Sequence, residues 1–170
     1  MKPRVSIIMG STSDFGVMRK AAEFLDELEV PFEINALSAH RTPELVAEFA
    51  RTAEERGVQV IIAAAGGAAH LPGVIAAQTV LPVIGVPIRS SNSVVGLDSI
   101  LSILQMPSGI PVATVAIDGS TNAAILACEM IALADPAIRA KVHAYKNQLA
   151  EKIEKANRDL ASEEFKFRCN

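Results

Sequence analysis

A doubly wound α/β domain is what this sequence predicts, and three observations carry that prediction. Short apolar runs alternate with segments of helical periodicity. Two of the runs, Ser6–Met9 and Val60–Ala63, are almost continuously apolar. The first three runs are each followed at once by a glycine-rich or polar loop. Alternating β and α units build a sheet layered with helices. Continuous apolar runs suit strands covered on both faces, as in a parallel sheet. Parallel strands bring the loops after their carboxyl ends to one edge, where ligands bind at the switch point in strand order.

The elements follow in order. Arg4–Met9 reads as the first strand. Met18, Ala21, Ala22, Leu25 and Leu28 then recur at helical spacing. Phe32–Leu37 is the second strand. Thr42-Pro43-Glu44 opens the next helix with a capping residue, a proline at the first helical position and an acid beside the dipole. Val58–Ala63, Pro82–Val86 and Val112–Val115 complete the predicted strands, and a short amphipathic helix ending at Pro107 lies within Gly96–Pro107. The final helix starts near Asp135-Pro136 and runs to about Leu160, with Ile138, Val142, Tyr145, Leu149 and Ile153 forming an apolar seam. At 1.5 Å per residue, ~25 residues span roughly 38 Å, more than a small domain needs. The seam allows two packings, against another subunit or back onto its own sheet. The chain thus divides into an α/β domain, residues 1–134, and a C-terminal helix and tail, residues 135–170. It shows no internal repeat, linker or low-complexity segment.

Composition narrows the function. A chain of 170 residues is one domain by length and buries roughly 70% of its extended surface. Half its residues are apolar, yet it has no Trp, one Tyr and six Phe, so its core is built from Ala, Val, Ile and Leu. A net charge of −3 does not suggest nucleic-acid binding, and an anionic ligand needs local donors. No apolar run approaches the ~18 residues of a membrane span, and Met1-Lys2-Pro3-Arg4 runs straight into a strand, unlike a signal peptide. A cytoplasmic protein without a membrane partner is expected. Cys128 and Cys169 have no metal spacing around them and read as reduced thiols.

The loops after the first three strands carry the chemistry. Gly10-Ser11-Thr12-Ser13-Asp14 offers close backbone approach, two serine hydroxyls and a helix N-terminus, suited to a phosphate; it is equally an ordinary βα turn. Asp14 either caps the helix or binds a ribose hydroxyl. Ser38-Ala39-His40-Arg41-Thr42-Pro43 places an imidazole, suited to moving protons near neutral pH, beside a cation able to grip phosphate or carboxylate; the alternative is a satisfied surface His with a solvated Arg. Ala64–Gly73 is rich in small residues: either Gly66-Gly67 exposes backbone N–H groups as an anion nest, or the run serves tight helix–sheet packing. Its one ionisable side chain, His70, is either catalytic or structural. His143 falls on the final helix and is read as a surface residue.

Taken together, these segments resemble the N5-carboxyaminoimidazole ribonucleotide mutase family over roughly Val5–Ala134. The resemblance rests on Met9-Gly10-Ser11 with Ser13-Asp14, Ser38–Pro43, Ala65–Gly73, Gly85-Val86-Pro87, Gly96–Ser99, Gln105-Met106-Pro107 and Asn122-Ala123-Ala124. It implies a flavodoxin-like three-layer α/β/α fold, a homo-octamer, and neither metal nor organic cofactor. It implies that His40 is the acid–base group. A ribonucleotide substrate would be bound by Ser11, Asp14, Ser38, Arg41, the Gly66-Gly67-Ala68 backbone, His70 and Leu71. In the family, CO2 leaves the exocyclic nitrogen, is retained, and is attacked by ring carbon four.

The chain departs from the pattern at Ala64, usually Gly, at Val74, commonly Met, and in a shorter 117–121 loop that bears on the pocket rim. A second branch carboxylates aminoimidazole ribonucleotide directly and carries Lys where Arg41 stands; the intact Gly66–Gly73 run matches the mutase branch. A flavin or nucleotide carrier of the same fold is the rival from another class, but it lacks aromatic residues to stack a flavin. A phospho-acceptor domain would want an acid where the third strand ends in Gly-Gly.

Overall fold

Strands β1 (Val5–Met9), β2 (Phe32–Ala36), β3 (Val60–Gly66), β4 (Val83–Ile88) and β5 (Ala113–Thr114) form a parallel sheet ordered β2-β1-β3-β4-β5. This arrangement is seen in a computed structural model that describes residues 1–169. After β2 the chain crosses to the far side of β1, so the switch point lies between β1 and β3. The helices are α1 (Phe15–Glu27), α2 (Pro43–Arg51), α3 (Ala53–Arg56), α4 (Leu71–Ala76) and α5 (Leu97–Leu104), which connect the strands, and α6 (Ser120–Ala132) and α7 (Pro136–Ala161), which follow β5.

Two-residue alternation along the strands sorts the core into two layers. Val5, Ile7, Met9, Ile62 and Ile84 meet α1, α6 and the start of α7 through Met18, Leu25, Ala124, Ala127 and Ile138. Ile8, Ile61, Ala63 and Val83 meet α2, α4 and α5 through Val46, Phe49, Leu71, Ile75 and Ile103. Burying an Ile fully contributes about 1.5–3 kcal/mol before the entropy of ordering it. The one polar residue in β1, Ser6, is fully buried and satisfied, because its hydroxyl donates to Glu33 Oε1 at 2.9 Å. Arg56 binds the same oxygen at 2.9 Å.

The expected elements are present, with corrections to β3, α4 and the cap of α2. β3 extends past Ala63 to Gly66, so Ala64, Ala65 and Gly66 are strand and not loop; they pair in parallel with Val86, Pro87 and Ile88. α4 starts at Leu71 and takes in Pro72 and Gly73, which the sequence places in a loop; Pro72 falls in the first turn, where its missing N–H costs no bond. β2 is an edge strand, only partly covered, with Ile34 40% exposed. Thr42 stands at the cap of α2 without capping it through its side chain; its hydroxyl donates instead to Ser38 O at 3.0 Å and accepts from Ser38 N at 3.0 Å.

The long helix uses both halves of its seam differently. Ile138 and Val142 join the domain core, and Tyr145 meets Phe24 edge-on at 4.9 Å between ring centres. Beyond them the seam is bare: Leu149 is 42% and Ile153 72% exposed. Asp135 caps α7 by accepting from Ala137 N and Ile138 N and is held by Arg4 at 2.6 Å. No helix among the described residues is long and apolar enough to cross a membrane.

Candidate active site

A cleft of about 440 Å³ opens where β1, β2, β3 and β4 end, at the switch point. The loop after β1 supplies Gly10, Ser11, Ser13 and Asp14; the loop after β2 supplies Ser38, Ala39, His40 and Arg41. From β3 and beyond come Ala65, Gly66, Ala68, His70 and Leu71. Of the expected site residues, His40, Ser11, Asp14, Ser38, Arg41, Gly66, Ala68, His70 and Leu71 thus line one cavity. Gly67 does not; it is buried behind it at φ 59°, a left-handed turn that favours glycine.

Each side chain is placed by its loop. Ser11 caps a single 3-10 turn, Thr12–Asp14, by accepting from Ser13 N at 3.3 Å. Asp14 follows at the cap position of α1 but makes no side-chain cap, which removes one of its two expected roles. Its carboxylate accepts from the Ser13 hydroxyl at 3.1 Å and is only 5% exposed. Burial pushes the Asp14 carboxyl above the usual carboxylate range; the Ser13 hydrogen bond opposes this and the Asp118 carboxylate adds to it.

Arg41 turns back over the end of β1. Its Nη2 donates to Gly10 O at 3.2 Å and its Nε to the Ser38 hydroxyl at 3.3 Å. The guanidinium and the Ser11 hydroxyl therefore serve the same end of the cleft, a donor set that fits a phosphate. His40 reaches from the β2 loop across to the β3 loop, where its Nε2 lies 2.8 Å from His70 Nδ1. An imidazole held in this way, exposed to the cleft and paired through one nitrogen, has the form of a general acid–base group. No group of three or more His, Cys, Asp or Glu side chains among the described residues is arranged to hold a metal ion.

Two lining residues, Ser90 and Asn92, are missed by the sequence reading. They follow β4, and every strand of a parallel sheet delivers its following loop to the same edge. The polar run Arg89-Ser90-Ser91-Asn92-Ser93 was the available signal.

The fold and the cleft define an α/β protein of flavodoxin-like architecture whose cleft brings a guanidinium and an imidazole together. The chain belongs to the AIR carboxylase family, which it matches over residues 4–152. It is 60% identical over 159 residues to the N5-carboxyaminoimidazole ribonucleotide mutase of Pyrococcus horikoshii, covering 94% of this chain and 89% of that protein. It is 56% identical to the protein of the same name from Thermotoga maritima, covering 92% of this chain and 91% of the relative. A crystal structure of Treponema denticola PurE superposes with a TM-score of 0.80 at 33% identity, over 94% of this chain and 99% of that one.

Proposed function

We propose that the protein converts N5-carboxyaminoimidazole ribonucleotide to 4-carboxy-5-aminoimidazole ribonucleotide in de novo purine biosynthesis. The observation that carries this reading is the meeting, in one cleft, of His40 with the phosphate-binding set of Arg41 and Ser11 and the small-residue wall of Ala65, Gly66 and Ala68. The C–N bond of the carbamate breaks and CO2 stays in the cleft. Ring carbon four attacks it, the exocyclic nitrogen regains a proton and carbon four loses one. One acid–base group, His40, returns to its starting state after each turnover. Keeping CO2 against the ring makes the second step effectively unimolecular, worth several kcal/mol. Asp14 and Ser38 hold the ribose end, while His70 and Leu71 complete the wall and Gly67 shapes the turn behind it. The chemistry needs neither metal nor organic cofactor.

The test is carbon-13-labelled carbamate substrate in excess unlabelled bicarbonate, with controls for spontaneous decomposition. Early product retains nearly all the label. Product carrying mainly unlabelled carbon would instead support direct carboxylation of aminoimidazole ribonucleotide, the second reading.

The same proposal includes a cytoplasmic homo-octamer, with residues 1–134 as the catalytic domain and 135–170 packing on a neighbouring subunit. Leu149, Ile153 and Leu160 on α7, and Leu97, Leu101 and Leu104 along one face of α5, are between 42% and 72% exposed. Helix faces of this kind are buried in assemblies.

A further inference from the structure

We propose that Asn92, held by Ser90, is the group that recognises the carboxyl group of the ribonucleotide and separates carboxylated from decarboxylated ligand. The inference rests on the reaction proposed above. Ser90 Oγ donates to Asn92 Oδ1 at 2.7 Å. That bond fixes which way the amide points: the carbonyl is used, and both N–H bonds of Nδ2 remain for a ligand.

Two glycines show how closely this pair sits on the cleft. A Cβ on Gly66 would fall 2.3 Å from Ser90 Oγ, and one on Gly67 would fall 3.2 Å from Asn92 Nδ2. The pair therefore occupies the space that side chains at 66 and 67 would take. The start of the loop is anchored as well. Arg89 N donates to Asp118 Oδ1 at 3.0 Å, and Asp118 N to Pro87 O at 2.8 Å. Asp118 holds a positive φ of 57° within the short 117–121 segment. Asp118 thus anchors the start of the loop that carries Ser90 and Asn92.

Position in the sheet assigns the ligand. Arg41 rises from the β2 side and Asn92 from the β4 side, three strand spacings or about 14 Å apart at the level of the backbone. The charged phosphate takes the Arg41 end. The other end has no cation among the residues lining it. An uncharged amide donor there binds a carboxylate while leaving room for neutral CO2, which a fixed cation would not favour over the ionised form.

Calorimetric titration of Asn92→Asp and Asn92→Ala with 4-carboxy-5-aminoimidazole ribonucleotide and with aminoimidazole ribonucleotide tests this. Asn92 is an exposed loop residue, and thermal melting confirms that the variants are folded. Asn92→Asp loses about tenfold to hundredfold in affinity for the carboxylated ligand, the scale of a hydrogen bond to a charged group. Its affinity for the decarboxylated ligand is unchanged, and Asn92→Ala shows the same selectivity more weakly. Equal losses for both ligands, or none for either, would overturn the proposal while leaving the reaction intact. A wild-type protein that binds neither ligand would overturn the reaction and this inference together.

Discussion

Nε2 of His40 lies 2.8 Å from Nδ1 of His70, with the two rings inclined at 75°. One nitrogen donates and the other accepts, so the tautomer of each ring dictates that of its partner. Proton exchange with a substrate then falls to His40 Nδ1 unless the pair opens. The role proposed for His70 is accordingly to position His40. His70→Phe is expected to lower kcat about 2- to 12-fold, the worth of one net hydrogen bond, with KM little changed. His70→Asn, which keeps a polar atom near the lost Nδ1, recovers most of it. Wild-type kcat in both folded variants would make His70 structural only.

His40 itself is expected to matter more. His40→Asn retains ribonucleotide binding and loses turnover by at least ~100-fold, the low end for general acid–base catalysis. Steady-state rates and a ligand titration on the same preparation check both halves of this expectation.

Asp14 gives a pH-dependent prediction. Its folded carboxyl binds a proton more tightly than the unfolded one, chiefly through burial, with Asp118 adding and Ser13 opposing. The folded state therefore holds more protons, and stability from this group falls as pH rises through that window. Asp14→Asn keeps an acceptor for the Ser13 hydroxyl and removes the charge. The variant is expected to melt higher than wild type at pH 7, with the gain vanishing below the ordinary carboxylate range, while its ribonucleotide affinity drops. Melting curves at several pH values decide it; a lower Tm at pH 7 would contradict the argument.

The bare half of α7 is expected to hold the assembly. Ending the chain after Asn147 keeps Ile138, Val142 and Tyr145, which pack on the domain, and removes Leu149, Ile153 and Leu160. Light scattering should show a smaller particle with unchanged secondary structure per residue. An unchanged mass would place the subunit contact elsewhere, α5 being the next candidate.

Gly66→Ala is expected to inactivate without unfolding. Its Cβ would meet Ser90 Oγ at 2.3 Å and Ser90 Cβ at 2.7 Å, so the Ser90 loop as a whole, not only its hydroxyl, must shift. Turnover falls further than the loss of Tm explains, with secondary structure retained, checked by assay, circular dichroism and melting together.

Most of the fold could be read from the sequence because burial writes itself into apolar runs: β1 and β4 differ from their expected spans by no more than two residues at either end. Local composition ends the third strand at Ala63, because Ala64, Ala65 and Gly66 look like loop residues. Their strand character comes from pairing with β4, a long-range bond that local composition does not show. α4 was hidden by Pro72 and Gly73, although Gly73 is a packing position where a Cβ would meet Met106 Sδ at 2.6 Å. His40, Arg41 and Ser11 were legible in the site because reactive side chains at strand ends stand out. Ser90 and Asn92 resemble any solvated loop, and only the sheet order places them on the cleft.

β2 is bonded on one side only, to β1, and yet the loop leaving it carries both His40 and Arg41. Edge strands open more readily than central ones. Fraying of this strand would withdraw the imidazole and the guanidinium together while the other four strands stay paired. Heat or denaturant should therefore silence the protein before circular dichroism registers a loss, and silencing at that stage should reverse on cooling. A ribonucleotide gripped at once by the β1 and β2 loops would act as a staple across that seam. It would protect β2 amides from hydrogen exchange more than those of any other strand.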